Sequence, residues 1–179
     1  MNSNAVPKKL FLLRHAKSSW SDAALSDFER TLNARGRNAR IAMAKYIDQQ
    51  GYRPEVIICS TAKRAQMTLD AIRPVVGEAS RIELDEGLYL AEPKALVRRV
   101  AQLAPSVGSV MLIGHNPGLH MLALTLAIPS DAEAYHALHR KYPTAALCVL
   151  QGIQPGWNSM SPESYDLLDF TVPRSLGAS

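Results

Sequence analysis

Hydrophobic and polar positions follow two periods along this chain, and each period predicts one kind of element. Short apolar runs bounded by turn residues are typical of buried strands. Apolar residues three and four positions apart predict amphipathic helices between those runs. The predicted strands are Lys8–Leu13, Glu55–Cys59, Arg81–Leu84, Val110–Ile113, Ala145–Leu150 and Tyr165–Val172.

Because strands and helices alternate over most of the chain, the pattern predicts an α/β fold. We expect a three-layer sandwich: a mostly parallel central sheet with helices on both faces. The last two strands are joined by the Gly-, Pro- and Ser-rich segment 152–164, so they are expected to be antiparallel or at the sheet edge.

Capping and breaking residues predict where the first two helices begin and end. Asn33 is the expected N-cap of the helix after the first strand. Ser60 or Thr61 is the expected N-cap of the next helix, which Pro74 should end or kink. Gly77 then breaks the chain.

The composition predicts one soluble globular domain over residues 1–179, with 1–7 and about 174–179 disordered. Hydrophobic residues make up 47% of the chain and charged residues 20%, which is ordinary for a globular protein. The net charge of +4 mildly favours anionic ligands. No apolar stretch is long enough for a signal peptide or a membrane span, so we expect no membrane association.

Two cysteines, Cys59 and Cys148, lie inside apolar runs. This placement predicts buried free thiols and a reducing, cytoplasmic location. Cys59 precedes Arg64 by four intervening residues, whereas cysteine-dependent phosphatases need five to wrap the phosphate, so an inert thiol is the better interpretation.

Candidate chemistry lies where predicted strands end. Arg14 and His15 follow the first strand, Arg64 follows the second, and His115 follows Val110–Ile113. Because parallel strands end at the same sheet edge, these side chains are expected to converge. A neutral imidazole can attack phosphorus while guanidinium groups hold phosphate oxygens. The pattern predicts a phosphoryl-transfer site without metal or other cofactor, in which neighbouring positive charge lowers the pKa of His15.

Three motifs resemble the histidine phosphatase superfamily. They are Leu12-Leu13-Arg14-His15-Ala16, Ser60-x-Ala62-x-Arg64-Ala65-x-x-Thr68 and Gly114-His115-Asn116-Pro117-Gly118-Leu119. Residues 14–18 and 27–36 are similar to the SixA-type phosphohistidine phosphatases. The resemblance extends over roughly residues 10–172 and implies a phosphoglycerate mutase-like fold.

The resemblance also implies roles for particular residues. His15 would carry a phosphohistidine intermediate, and Arg14, Arg64 and His115 would form the phosphate pocket. Asn116 resembles a position that lines this pocket. The superfamily usually has glycine at the position of Ala16, so this chain departs from the pattern there.

The general acid has no clear place in these motifs. Expelling an alkoxide needs a proton, and Glu86, after the third strand, is the candidate donor. The alternative is that Glu86 is a solvated loop charge. A phosphorylated imidazole is an easier leaving group and needs little help from an acid.

Other polar and aromatic residues have both functional and ordinary interpretations. Lys17 and Arg30 are candidates for steering and binding a phosphorylated substrate, or they form a solvated basic rim. Trp20 and Phe28 form either a substrate wall or an anchor for the loop that carries them. The remaining histidines are interpreted as structural, and their spacing indicates no metal site; they are His120, His136 and His139.

Three functions remain open at the level of sequence. The first is a metal-independent phosphatase acting on phosphohistidine in proteins. The second is a phosphomonoesterase of the same fold acting on a small metabolite. The third is a non-catalytic phosphate-binding module. Nucleic acid is not expected as a partner, because the basic residues are scattered and aromatic residues make up only 6% of the chain. Oligomeric state and pathway are not predicted.

Overall fold

A computed structural model describes residues 7–153 and 156–178. The strands are β1 (Lys9–Arg14), β2 (Val56–Ser60), β3 (Arg81–Asp85), β4 (Ser109–Gly114), β5 (Leu147–Gly152) and β6 (Tyr165–Thr171). The α-helices are α1 (Ala34–Gln49), α2 (Lys63–Val76), α3 (Pro93–Ala101), α4 (Gly118–Leu126) and α5 (Glu133–Arg140). Short 3-10 helices cover Glu86–Leu88, Trp157–Ser159 and Pro173–Leu176.

All six strands belong to one sheet with the order β3-β2-β4-β1-β5-β6. Strands β3, β2, β4 and β1 are parallel, whereas β5 is antiparallel to both β1 and β6. The mostly parallel sheet is therefore confirmed, and so is the antiparallel pair at its end. Strands β2, β4 and β1 lie side by side, which brings their carboxyl ends to one edge.

Successive side chains of a strand point to opposite faces of the sheet, and the strands carry apolar side chains on both faces. Helices therefore cover both faces. In β1, Leu10 and Leu12 pack into the core beneath α3, α4 and α5. Phe11 and Leu13 pack into the core beneath α1 and α2. The continuous apolar run of β1 is thus explained by burial on two sides.

The helix boundaries confirm one predicted cap and correct the other. Asn33 caps α1, since its Oδ1 accepts a hydrogen bond from the Gly36 amide at 2.8 Å. Helix α2 follows Ala62 and has no side-chain cap. The Ser60 hydroxyl lies one turn earlier, where it accepts from the Ala62 amide at 3.3 Å and contacts His115 Nε2 at 2.8 Å. Pro74 lies inside α2 and does not end it; two further residues complete the last turn, and the buried Val76 anchors that turn.

Two segments pack more closely than the sequence indicates. A Cβ atom on Gly36 would lie 2.0 Å from the carbonyl oxygen of Lys17, so α1 and the loop after β1 approach each other at a glycine. Residues 174–178 were expected to be disordered, yet Pro173–Leu176 form a 3-10 helix and Leu176 packs against the core. Residues 1–6 and 179 lie outside the described residues.

Candidate active site

Four predicted side chains lie together at the carboxyl edge of the sheet. Arg14 is the last residue of β1 and His15 follows it, Arg64 lies in the first turn of α2, and His115 follows β4. The imidazole rings of His15 and His115 are 5.0 Å apart between centroids. Arg64 Nε lies 3.3 Å from His15 Nε2. Strand ends that are about a hundred residues apart in the chain therefore form one cluster.

The loop after β1 fixes the orientation of the His15 ring. Nδ1 of His15 lies 2.7 Å from the carbonyl oxygen of Ala16, an acceptor only, so Nδ1 carries the proton and donates it. The Ala16 amide donates to Thr68 Oγ1 at 2.9 Å, and that hydroxyl donates to the Arg64 carbonyl at 2.8 Å. Nε2 of His15 is left without a proton and accepts the hydrogen bond from Arg64 Nε. Ala16 is not among the residues with positive φ, so its Cβ fits here without backbone strain.

Both imidazoles are neutral near pH 7. Burial lowers the pKa of His15 to about 3, with His115, Arg64 and Arg14 lowering it further against the opposing hydrogen bond to Ala16. Burial followed by the charge of Arg64 also lowers the pKa of His115 to about 3. The predicted direction is confirmed, but the main cause is desolvation rather than neighbouring positive charge.

His115 is held by the end of β2. Its Nδ1 lies 3.4 Å from Arg64 Nη2, which can only donate, so Nδ1 is the acceptor. Nε2 therefore carries the proton and donates to Ser60 Oγ at 2.8 Å. Ser60 is fully buried, and its part in orienting His115 was missed when it was interpreted as a helix cap.

A carboxylate that sequence reasoning did not assign holds the Arg64 guanidinium. Arg64 Nη2 donates to Asp27 Oδ2 at 2.9 Å, and Arg64 Nη1 donates to the Asp27 carbonyl oxygen. The Tyr89 hydroxyl donates to the same carboxylate at 2.6 Å, and Arg30 Nη2 donates at 2.7 Å. The Tyr89 hydrogen bond, then those from Arg30 and Arg64, holds the pKa of Asp27 far below its usual range. The spacing of Asp27 and Arg30 was the available signal, but it indicates only a local ion pair.

The carbonyl oxygen of Tyr142 holds two further groups. Arg14 Nη1 donates to it at 2.8 Å, and Asn116 Nδ2 donates to it at 3.0 Å. Arg14 Nε and Asn116 Oδ1 are buried and have no hydrogen-bond partner within the described residues. Because unpaired buried polar atoms are rare and costly, these two atoms are candidates for contact with a ligand.

These side chains line an open cavity of about 430 Å³. Its walls include every predicted site residue except Glu86; the full lining is Arg14, His15, Lys17, Ser18, Trp20, Asp27, Arg30, Arg64, Leu90, His115, Asn116 and Thr144. Four of these residues are cationic and one is a carboxylate, so the cavity is electropositive. Two neutral imidazoles within a cationic wall suit a tetrahedral oxyanion.

The structure separates the less specific candidates. Glu86 is exposed in the first 3-10 helix and does not line the cavity. Arg30 is buried, donates to Ser18 Oγ at 2.7 Å and lies with its guanidinium 3.5 Å above the Trp20 ring. Trp20 is 77% exposed at the cavity wall, whereas Phe28 packs edge-to-face on Tyr89 at 4.9 Å. Trp20 therefore belongs to the wall, and Phe28 anchors the loop.

The other candidate residues lie apart from the cluster. His120 contacts the Leu138 carbonyl oxygen at 2.8 Å, while His136 and His139 are exposed on α5. Cys59 and Cys148 are buried free thiols, as expected, and burial raises the pKa of Cys59 to about 12. Within residues 7–153 and 156–178, no group of three or more His, Cys, Asp or Glu side chains is placed to hold a metal, and no helix could cross a membrane.

Comparison with known sequences gives a family and a full-length relative. The sequence model of the histidine phosphatase superfamily (branch 1) matches residues 10–89. An uncharacterized protein of Mycobacterium tuberculosis is 31% identical over 165 residues, which cover 90% of this chain and 100% of that protein.

Comparison with solved structures gives the same fold. The crystal structure of the putative phosphohistidine phosphatase SixA from Agrobacterium tumefaciens superposes with a TM-score of 0.76 at 30% identity, covering 93% of this chain and 99% of that one. A structure of the protein histidine phosphatase SixA complexed with tungstate superposes with a TM-score of 0.75 at 20% identity, covering 94% and 99%. The phosphoglycerate mutase-like sandwich expected from the motifs is confirmed.

Proposed function

Because this chain belongs to the histidine phosphatase superfamily, we propose that its nucleophile is Nε2 of His15 and its substrate a phosphorylated histidine of another protein. The observation that carries the first part is the state of His15: a buried, neutral ring whose unprotonated Nε2 accepts a long hydrogen bond of 3.3 Å from Arg64 Nε. When a substrate phosphate takes over the N–H donors of Arg64, the lone pair of this nitrogen is released for attack on phosphorus. The chain is a phosphatase.

In the first step, His15 Nε2 forms a bond to phosphorus while the bond between phosphorus and the substrate nitrogen breaks. The substrate ring carries a proton on its other nitrogen, so the electron pair of the broken bond leaves it as neutral imidazole. No proton from the enzyme is consumed. Arg14 and Arg64 stabilise the negative charge spread over the equatorial oxygens, so their positive charge serves the role that a metal ion has in other phosphoryl-transfer enzymes.

In the second step, water attacks the phosphorus of phosphorylated His15. The oxygen of water joins phosphorus, both of its protons stay on the product as dihydrogen phosphate, and His15 returns to its neutral form with the proton on Nδ1. His115 contacts Arg64 and faces the same oxyanion, whose charge favours protonation of the ring when phosphate is bound. In that state Nδ1 of His115 becomes a donor to a phosphate oxygen.

The carboxylates favour phosphohistidine over an alkyl ester as the substrate. Among the described residues, Asp27 is the one carboxylate that lines the cavity. Its low pKa and its bonds to Tyr89, Arg30 and Arg64 keep it ionised, so it has no proton to give near pH 7. An alkoxide needs such a proton, whereas a phosphorylated imidazole does not.

The test compares three substrates in the presence of EDTA: a phosphohistidine peptide, an aryl phosphate and glycerol phosphate. We expect kcat/KM to fall in that order, and His15→Ala to lose at least about a thousandfold on the first two. His136→Ala, on the exposed face of α5, is the matched histidine control and should keep full activity. A phosphoenzyme that is labile in acid, stable in base and absent from His15→Ala identifies the intermediate.

Two outcomes contradict the proposal in different ways. Undiminished turnover by His15→Ala eliminates the nucleophile. A higher kcat/KM for glycerol phosphate than for the phosphohistidine peptide leaves the nucleophile in place and makes the protein a small-molecule phosphomonoesterase.

A further inference from the structure

A second cavity of about 520 Å³ opens beside the catalytic one. We call it the basic groove; it is lined by Lys17, Arg35, Ala39, Ala137, Arg140, Lys141, Pro143, Thr144, Phe170, Val172, Pro173, Arg174 and Ala178. Lys17 and Thr144 line both cavities. A ligand that fills the basic groove can therefore continue to His15 without leaving the surface.

The rim of the basic groove carries one sign of charge. Its five cations are exposed, and none of them forms an ion pair in the part of the chain that the structure describes. They are contributed by the loop after β1, α1, α5 with the residue that follows it, and the last 3-10 helix. None of the 16 aspartate and glutamate residues lines the groove, although it holds five of the chain's 20 lysines and arginines. With five cations and no carboxylate in its lining, the groove is strongly electropositive.

The floor of the basic groove is apolar. It is formed by Phe170 near the end of β6 and Val172 just after that strand, with Ala39, Ala137 and Pro173. Free phosphate would need no apolar floor, and a nucleic acid would need exposed aromatic faces on which to stack bases. Phe170 is only partly exposed and packs on Tyr142 at 5.2 Å between ring centroids. An apolar floor within a cationic rim fits a protein segment that carries both apolar and carboxylate side chains.

We propose that the basic groove docks an acidic segment of the phosphorylated protein, next to its phosphohistidine. This inference rests on the proposed function, because it names the kind of phosphoprotein that the same site accepts. Carboxylates of the segment pair with Arg35, Arg140 and Arg174, and its apolar side chains cover Phe170. Docking at the groove places the phosphorylated imidazole in the adjoining catalytic cavity, so recognition and chemistry occupy separate surfaces.

Binding is measured first, because it does not depend on turnover. A fluorescein-labelled, unphosphorylated peptide with alternating glutamate and leucine is compared by anisotropy with the same peptide carrying glutamine for glutamate. We expect the acidic peptide to bind at least about fivefold more tightly, with the difference shrinking at high salt. The double variant Arg35→Glu, Arg174→Glu should abolish this preference. The double variant Lys45→Glu, Lys94→Glu changes exposed lysines outside the groove by the same net charge and should retain it.

Catalysis is measured second, on phosphohistidine peptides with acidic or neutral flanks and on an aryl phosphate. The groove variant should lower kcat/KM at least about fivefold for the acidic peptide, mainly through KM, and leave aryl phosphate hydrolysis within about twofold. Equal binding of both unphosphorylated peptides, or a preference that persists in the groove variant, overturns the docking proposal. Preferential binding of the acidic peptide without hydrolysis of any phosphohistidine peptide supports the groove and overturns only the proposed substrate.

Discussion

Asp27 Oδ2 accepts a hydrogen bond from Arg64 Nη2 at 2.9 Å, although the two residues lie 37 positions apart in the chain. The same guanidinium reaches His15 through Nε and His115 through Nη2. Asp27 thus fixes the group that lies between both imidazoles. Its charge also offsets part of the positive charge of the cavity.

Asp27→Asn should lower kcat because Arg64 loses the charge that orients it. We expect a loss of about ten- to a hundredfold, the size that small misplacements of reacting groups produce. Inorganic phosphate should inhibit the variant at lower concentration, since the cavity has become more positive. Asp22→Asn, on the exposed part of the same loop, is the control. A lower kcat together with weaker phosphate inhibition would contradict this role, because it would mean that the substitution had disordered the loop and the phosphate site with it.

The lowered pKa values of the two histidines predict how stability depends on pH. His15 and His115 stay neutral in the folded state down to about pH 3, whereas in the unfolded chain they take up protons below about pH 6.5. Because the unfolded state then binds more protons, the stability that depends on these two neutral histidines is complete above pH 6.5. The free energy of unfolding falls as the pH falls from 6.5 toward 3. Urea unfolding at pH 7.5 and pH 5 checks this, and the variant with both histidines changed to asparagine should show a shallower decline. If the free energy of unfolding fell equally between pH 7.5 and pH 5 in both proteins, the burial of His15 and His115 in their neutral form would be contradicted.

Glu86→Gln should change kcat/KM by less than about twofold on phosphohistidine and on alkyl phosphates alike, as is usual for an exposed side chain outside a site. The reason is its position outside the cavity lining. Steady-state kinetics on both substrates checks it. A selective loss on the alkyl phosphate would restore Glu86 as the proton donor.

For Gly36→Ala, helix propensity and packing predict changes of opposite sign in the free energy of unfolding. Propensity alone would stabilise α1 by about 1 kcal/mol. The new methyl group would lie 2.0 Å from the Lys17 carbonyl oxygen, so the backbone must move, at a net cost of about 1–3 kcal/mol. Thermal or urea unfolding measures the sign. Asn38→Ala, exposed on the same helix, should be slightly stabilising and is the control for propensity.

The sequence was sufficient for the architecture and for the residues at strand ends. Arg14, His15, Arg64 and His115 follow apolar runs, and the rule that parallel strands end at one edge brings them together. Asp27 could not be assigned this way, because the loop between β1 and α1 has no periodicity that fixes where its side chains point. Glu86 is the opposite case: it follows a strand, so it was predicted as a site residue, yet it lies outside the cavity.

Contacts between distant parts of the chain were the other feature that sequence patterns did not contain. The Tyr142 carbonyl holds Arg14 over 128 positions, and no spacing rule indicates such a contact. The basic groove could not be predicted for the same reason, since its cations come from separate elements and are scattered in the sequence. The composition determines the net charge of the protein, but it does not show that five cations lie together on one surface.

The strand order also determines when this site can first exist during translation. Strand β1, which carries Arg14, lies between β4 and β5 in the sheet, and Lys9 aligns with Ser109. At ribosomal rates of about 5–20 residues per second, the first strand waits about 5–20 s for β4. Throughout that interval Leu10–Leu13 is an apolar segment of the nascent chain without its neighbouring strands, and it lies directly ahead of Arg14 and His15.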